Sequence, residues 1–358
     1  MIILLGLTMI PILFKLIMGD IENSQQRKKD FLILCGICIV LVIGLRDKSV
    51  GTSDTSTYCK LYEGVANYSN LKTFLTGHKI FENGFFLSEC LFYIFTYFCA
   101  KILPNAQWFI LITSAFITFS ALRFIYRNSS NILLSTIMYI CLGLMTFNMN
   151  GMRQALAMSI CLFAYDFVKK RKLLPFILIV VIAMLMHKTA VFFSIVYFIA
   201  RLKCNFKSIT FFTVSVLLFL IFADRLVEIF DNVADKNYSD VGGFDSGGYV
   251  TLLIYGLVLI FAVLFGWKDR KNSDFALVFY LTILGCALYC GRYISTQIYE
   301  RMSYYFFYAV LLLLPQTVMQ LKESEKPMVV MIITSLSILL FAYRLYGSAF
   351  HNFVFFWR

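Results

Sequence analysis

The sequence predicts an all-α, polytopic integral membrane protein, and three observations carry that expectation. Of the 358 residues, 60% are hydrophobic and 15% are charged, with a mean hydropathy of +0.79, a composition foreign to water-soluble domains. Several apolar runs reach the about 20 residues that cross a hydrocarbon core. Short basic tracts separate these runs, and no ten-residue alternation of the kind that builds a transmembrane β-barrel is present. The net charge of +12 (32 Lys+Arg minus 20 Asp+Glu) lies mostly in short loops, so it reports membrane orientation and not nucleic-acid binding.

Residues 1–18 lack a basic leading region and a small-residue cleavage site, so they read as a first span and not as a signal peptide. The basic stretch 26–29 marks a cytoplasmic loop, and the short run 31–45 returns outward. Residues 46–83 form the first long polar segment, placed outside. Within it Tyr58, Leu61, Tyr62, Val65, Tyr68, Leu71 and Leu75 recur at helical spacing, which predicts an amphipathic helix in the interface. Runs 85–103 and 108–124 follow, joined by the Pro104-Asn105 turn. Run 132–147 leads to a polar turn that holds Arg153. Run 155–168 then descends to the basic tract 169–172, the clearest cytoplasmic mark in the chain.

Run 173–186 rises to His187-Lys188, and 189–200 returns to Arg201 and Lys203. Run 211–223 rises to a polar loop at 224–248, and 249–266 descends to the charged residues 268–271. Run 275–290 rises to a polar stretch ending in Glu300-Arg301. Run 302–318 descends to 322–326, and 328–345 leads to an outer C-terminus. The sum is roughly twelve or thirteen crossings in one multi-pass domain over 1–358, with outer loops at 46–84 and 224–248. One conflict stands within it. Segments 46–83 and 148–154 both read as outer, yet three apolar runs lie between them. Either one of those runs is re-entrant or interfacial, or the long loop hides a crossing.

Ten cysteines sit mostly inside apolar runs. The Cys35/Cys38 pair has metal or redox spacing and Cys286 and Cys290 share a helical face, but small buried hydrophobes account for them, and no outer pair compels a disulfide. Trp108, Trp267 and Trp357 fall at span ends, as an aromatic belt requires.

The unusual polar groups gather on the outer side: Arg46, Asp54, Glu82, Glu89, Arg153, Gln154, His187, Lys188, Arg292, Glu300 and Arg301. Arginines with a few carboxylates and one histidine suit a polyanionic head group, because guanidinium forks hold phosphate in fixed geometry. Arg153 opens a helix between two apolar runs, where Asn150, Gly151 and Gln154 with free N–H groups can hold an anion; the alternative is that it snorkels to lipid headgroups. Asp54 is either a helix cap or a catalytic carboxylate. His187 is either a helix-end contact or a proton acceptor. Glu300-Arg301 is either a local ion pair or part of the site. No D-x-D metal motif is visible.

In Arg46-x3-Val-Gly-Thr-x-Asp54-x3-Tyr58 the sequence resembles the R-x3-V-G-T-D-x3-Y signature of the EpsG family, the Wzy-type polysaccharide polymerases, with Ser53 inserted before the aspartate. Four further pieces match in the same order. They are Phe81-Glu82-x-Gly84-Phe85; Phe147-Asn148 leading to Arg153-Gln154-x-x-Ala157; His187 opening a short span; and Glu300-Arg301 with Tyr304 to Phe306. The resemblance implies a GT-C-like, multi-span glycosyltransferase in the bacterial plasma membrane with its active site facing outward. It implies transfer of a growing glycan from undecaprenyl diphosphate to a sugar hydroxyl of a lipid-linked repeat unit, without metal or other cofactor. The implied partners are the lipid-linked donor and acceptor, membrane lipids, a chain-length regulator and a flippase. Arg46 and Arg153 are the expected diphosphate ligands, supported by Arg292, Arg301, Gln154, Glu82 and Tyr58. His187 is the first candidate for the base, then Asp54 and Glu300. A flippase for lipid-linked sugars, an O-antigen ligase and a sugar O-acyltransferase are the rival readings. A transporter tends to place broken helices and charges at the bilayer midplane, whereas here the charges lie at the outer rim.

Overall fold

The computed structural model describes residues 1–82, 85–86, 89–222, 225 and 246–357. Apart from one two-residue hairpin and one isolated bridge, its regular structure is helical. The expected outer loop 224–248 falls almost wholly outside the described residues, as does Gly84. Many helices start where a polar residue interrupts an apolar run. Ser24, Asn70, Asn105, Asn131, Asn205 and Asn272 each accept a hydrogen bond from a backbone N–H of the following turn, satisfying a donor that the helix itself leaves unpaired.

The chain divides into two compact units. The first comprises Met1–Phe167, Leu173–Val191 and Met331–Arg358, and the second Val168–Lys172 and Phe192–Val330. The first is built from α1 (Ile2–Met18), α2 (Gln25–Gly44), α3 (Ser53–Gly64), α4 (Leu71–Gly77) and the hairpin β1 (Phe81–Glu82) with β2 (Phe85–Phe86), followed by α5 (Cys90–Ile102), α6 (Ala106–Asn128), α7 (Ile132–Cys141), α8 (Leu144–Asn150), α9 (Met152–Lys169) and α10 (Leu173–Met186). In the second lie α11 (Val196–Ile199), α12 (Phe206–Ile221), α13 (Ser246–Phe265), α14 (Ser273–Cys290), α15 (Arg301–Phe307) and α16 (Val310–Val318). Helix α17 (Lys326–Tyr346) closes the chain.

Among the described residues, four helices are long and apolar enough to cross a membrane: Ala106–Asn128, Gly248–Phe265, Ser273–Tyr293 and Lys326–Tyr346. The pair α7 and α8, bent by 47°, makes a fifth candidate, and five shorter apolar helices of 10–17 residues accompany them. A tally of twelve or thirteen crossings therefore draws on short helices as well as long ones. Large aliphatic and aromatic side chains face outward on these helices, with Leu174 69%, Phe211 75%, Leu264 68% and Leu339 66% exposed. Lipid is the solvent that such surfaces require.

Within the first unit, contacts between helix ends define two faces. On one, the C-terminal segment runs antiparallel to the chain after α2: Asp47 N donates to Val354 O at 3.0 Å and Phe356 N to Leu45 O at 3.1 Å. Gln107, at the start of α6, donates to the carbonyls of Gly44 and Arg46 at 2.7 and 3.2 Å. Thr52 N donates to Asn150 at 3.0 Å. On the other face, Ile132 N donates to Glu22, which also pairs with Lys28. There too Asp166 pairs with Arg123 at 2.7 Å and Arg127 at 3.1 Å.

These contacts resolve the crossing conflict. Segments 46–83 and 148–154 touch directly, so they share a side. The odd segment is α5. Both of its ends lie on the Arg46 face: Glu89 at its start meets Arg153, and Leu103 at its end leads within three residues to α6.

In the second unit α14 is central, packed by α11, α12, α13, α15 and α16. Gly285 allows that packing, since a Cβ there would lie 2.8 Å from the Phe307 ring. Tyr255 stacks on the same ring at 3.9 Å.

Candidate active site

The site is assembled around the break between α8 and α9. A helix end leaves unpaired carbonyls, and here two ends are closed by one side chain. Arg46 donates through Nη1 to Ile43 O, in the last turn of α2, and to Ser114 Oγ at 3.3 Å; through Nη2 it donates to Met149 O, in the last turn of α8, at 2.8 Å. Cations suit helix C-termini. The residue is 0% exposed, and burial lowers its pKa to about 10. In this structure Arg46 ties two helix ends together from a buried position, whereas the expected role was a diphosphate ligand.

The outer segment is stitched to the same break. Thr55 Oγ1 donates to Met149 O at 3.0 Å, beside the Thr52–Asn150 hydrogen bond. Gly51 has φ +104°, and a Cβ there would fall 2.3 Å from Asn150 Oδ1. Backbone conformation and close approach thus both demand glycine at this position of the Val-Gly-Thr stretch. Thr52 occupies the N-cap of α3 and makes no side-chain cap hydrogen bond. Asp54 lies in the first turn, where it favours the helix dipole, so the capping expectation fails in that form.

One carboxylate collects the groups of the cluster. Glu89, the residue before α5, is buried, and its backbone sits at φ +66°, a left-handed conformation that is costly for a non-glycine residue. Its Oε1 pairs with His187 Nδ1 and accepts from Lys188 N–H at 3.2 Å. Its Oε2 pairs with Arg153 Nη1 at 2.8 Å. Three helix ends converge here: the starts of α5 and α9 and the end of α10. Burial alone would raise the Glu89 carboxyl, but the His187 hydrogen bond and the Arg153 charge outweigh it, with His187 charge and the Lys188 N–H adding to them, and hold it at about 2. With a carboxylate facing Nδ1, the neutral ring takes the Nδ1–H tautomer, which puts the lone pair on Nε2. The Arg153 guanidinium lies 5.6 Å from the Phe92 ring centroid, and Phe92 meets Tyr58 edge-on at 5.6 Å. Arg153 keeps 26% of its side chain exposed, against 7% for His187.

Two further expected residues lie in the first unit. Gln154 is buried beside Arg153 at the start of α9, and Glu82 is exposed on β1 opposite Phe85. In the second unit Arg292 pairs with Glu300 at 2.8 Å, and its guanidinium lies 5.8 Å from the Tyr289 ring centroid. A π-helical turn, Thr296–Glu300, runs into α15, whose first residue is Arg301; such turns gather at functional sites. Among the described residues, no group of three or more His, Cys, Asp or Glu is placed to hold a metal ion.

Sequence reasoning placed Glu89 among the outer polar groups but gave it no role. The signal available was a lone carboxylate at the foot of an apolar helix, a position that demands a partner. Phe92, hidden within an apolar run, carried no signal at all.

No curated protein and no solved structure matches the chain. The family model of the EpsG family matches residues 29–356, a span that begins before the Arg46 segment and ends beyond the Glu300-Arg301 turn. The chain therefore belongs to the EpsG family, which is a Wzy-type polymerase family.

Proposed function

We propose that this protein is a membrane-embedded polysaccharide polymerase that transfers a glycan from undecaprenyl diphosphate to a sugar hydroxyl of a lipid-linked repeat unit, on the outer face of the membrane. In this step the bond from the anomeric carbon to phosphate oxygen breaks, the bond to the acceptor oxygen forms, and the acceptor proton needs a base. The leaving group is already an anion, so its departure calls for positive charge and not for an acid.

The observation that carries the reading is the Glu89-centred cluster, which holds a guanidinium and an oriented imidazole on one carboxylate at three converging helix ends. Arg153 neutralises the departing diphosphate, and its exposed part offers the donors. His187 takes the acceptor proton on Nε2, with Glu89 fixing the tautomer as a carboxylate does in hydrolase triads. The Phe92 ring supports the guanidinium, and Tyr58 packs edge-on against Phe92. Arg46 and Gly51 act at a distance, by holding the outer segment against the Asn150 turn.

The outward orientation draws support from charge. The face opposite the cluster carries Lys28, Arg123 and Arg127, as a cytoplasmic face should. The test is incubation of purified protein with lipid-linked repeat units and gel separation of the products. A ladder of increasing length is expected from the wild type and none from His187→Gln. Transport of the units without elongation would replace this reading by that of a flippase.

A further inference from the structure

We infer that Glu89 is a placeholder for the substrate's phosphate: it occupies Arg153 in the empty protein and surrenders it when a diphosphate arrives. The inference rests on the polymerase reading for the identity of the anion and goes beyond it in assigning Glu89 two successive states. The two carboxylate oxygens have different partners. Oε1 is bound by His187 Nδ1 and by the Lys188 N–H, two groups held on the end of α10. Oε2 is bound by Arg153 alone among the contacts described, at 2.8 Å. The first oxygen is therefore anchored twice and the second once, through the more exposed side chain. Arg153 Nε is buried without a hydrogen-bond partner, so Glu89 alone does not supply the guanidinium with its full set of acceptors. A phosphate oxygen is an acceptor of the same charge type as Oε2, and a diphosphate carries several.

When Arg153 turns to the diphosphate, Glu89 stays with His187. The carboxylate then remains on the imidazole Nδ1 and on the Lys188 N–H, while the Arg153 charge is drawn toward the leaving group. Removing a cation from a carboxylate that already holds a histidine makes that histidine more basic. Donor binding and readiness of the base are thereby coupled through one residue. Glu89 is in this account a positioning residue and touches neither sugar.

The coupling makes a prediction that a merely structural role does not. Inorganic pyrophosphate is the probe, titrated into the detergent-purified full-length protein by calorimetry at neutral pH. Glu89→Gln removes the internal competitor for Arg153, so it should bind pyrophosphate roughly tenfold tighter than wild type, the scale of one charge-assisted hydrogen bond. It should at the same time lose most ladder formation. Arg153→Gln should bind at least tenfold more weakly than wild type. If the Gln variant does not fold, Glu89→Asp serves instead: it keeps the buried charge but, one methylene shorter, cannot span His187 and Arg153 together, so it too should bind more tightly. Unchanged or weaker pyrophosphate binding in the folded Glu89 variant overturns the inference. Tighter binding combined with no ladder from the wild type would retain the placeholder and reject the polymerase reading.

Discussion

Arg153→Ala removes a guanidinium that balances a buried carboxylate and, in the proposed reaction, neutralises a leaving diphosphate. The two effects separate. Breaking a buried ion pair from one side costs about 3–5 kcal/mol because the remaining charge is stranded. Glu89 keeps His187 and the Lys188 N–H, and Arg153 is 26% exposed, so a loss of about 2–3 kcal/mol of stability is the reasonable scale. Adding Glu89→Gln discharges the stranded group and should return much of that loss. Catalysis should not return with it: a charge-assisted contact at a reacting centre contributes about 2–4 kcal/mol, or roughly 30- to 1000-fold in rate. Arg153→Lys supplies the third arm. It keeps a cation for Glu89 and so should unfold close to wild type, but it loses the planar fork and should polymerise at least 30-fold more slowly. The assay is ladder formation per unit of monodisperse protein, with a thermal unfolding midpoint measured on the same sample. A well-folded Arg153→Ala protein that polymerises at the wild-type rate would refute the reasoning, because Arg153 would then be only a counter-ion.

His187→Gln should abolish elongation while lipid-linked substrate still binds, measured by retention of labelled substrate on the purified variant; normal elongation would move the base to Asp54 or Glu300. Glu89 has a carboxyl pKa depressed from 4.5 to about 2, so its contribution to stability is full above pH 4.5 and is lost as the pH falls through the folded value. Acid unfolding of the wild type should therefore show a component over that window that is absent from Glu89→Gln. Arg46→Met should strand the Ile43 carbonyl at about 1–3 kcal/mol and leave the Met149 carbonyl to Thr55 alone. That variant should accumulate poorly in membranes, yet its surviving folded fraction should elongate normally; good accumulation with no elongation would return Arg46 to the chemistry. Cysteines at positions 48 and 150 should both label from outside intact cells, and one at position 170 only after permeabilisation. Opposite sidedness for positions 48 and 150 would contradict the contact between those segments.

Hydropathy and basic tracts were enough to predict an all-helical membrane chain, because burial in lipid leaves the backbone no alternative to internal hydrogen bonding. The same one-dimensional signals marked Arg153 and His187, since a strong cation or a histidine at the edge of an apolar run is conspicuous at any tertiary arrangement. They could not rank α5 as the segment that does not cross, because 85–103 is as apolar as a short span; only the residues its two ends touch decide that. Nor could they distinguish Arg46 from Arg153, two arginines bordering apolar runs in similar context. The fold spends one on the open carbonyls of α2 and α8 and leaves the other partly open beside Glu89, and burial and partner geometry depend on which helix ends meet. Glu89 is the extreme case. Its sequence position shows a single carboxylate at a helix start, and its meaning comes from residues 64 and 98 positions away in the chain (153 minus 89 and 187 minus 89). Local sequence thus determined which groups are charged and where the membrane can be crossed, while tertiary packing alone decided which charges face one another, because a pairing energy exists only once two distant helix ends share a few ångströms of low-dielectric space.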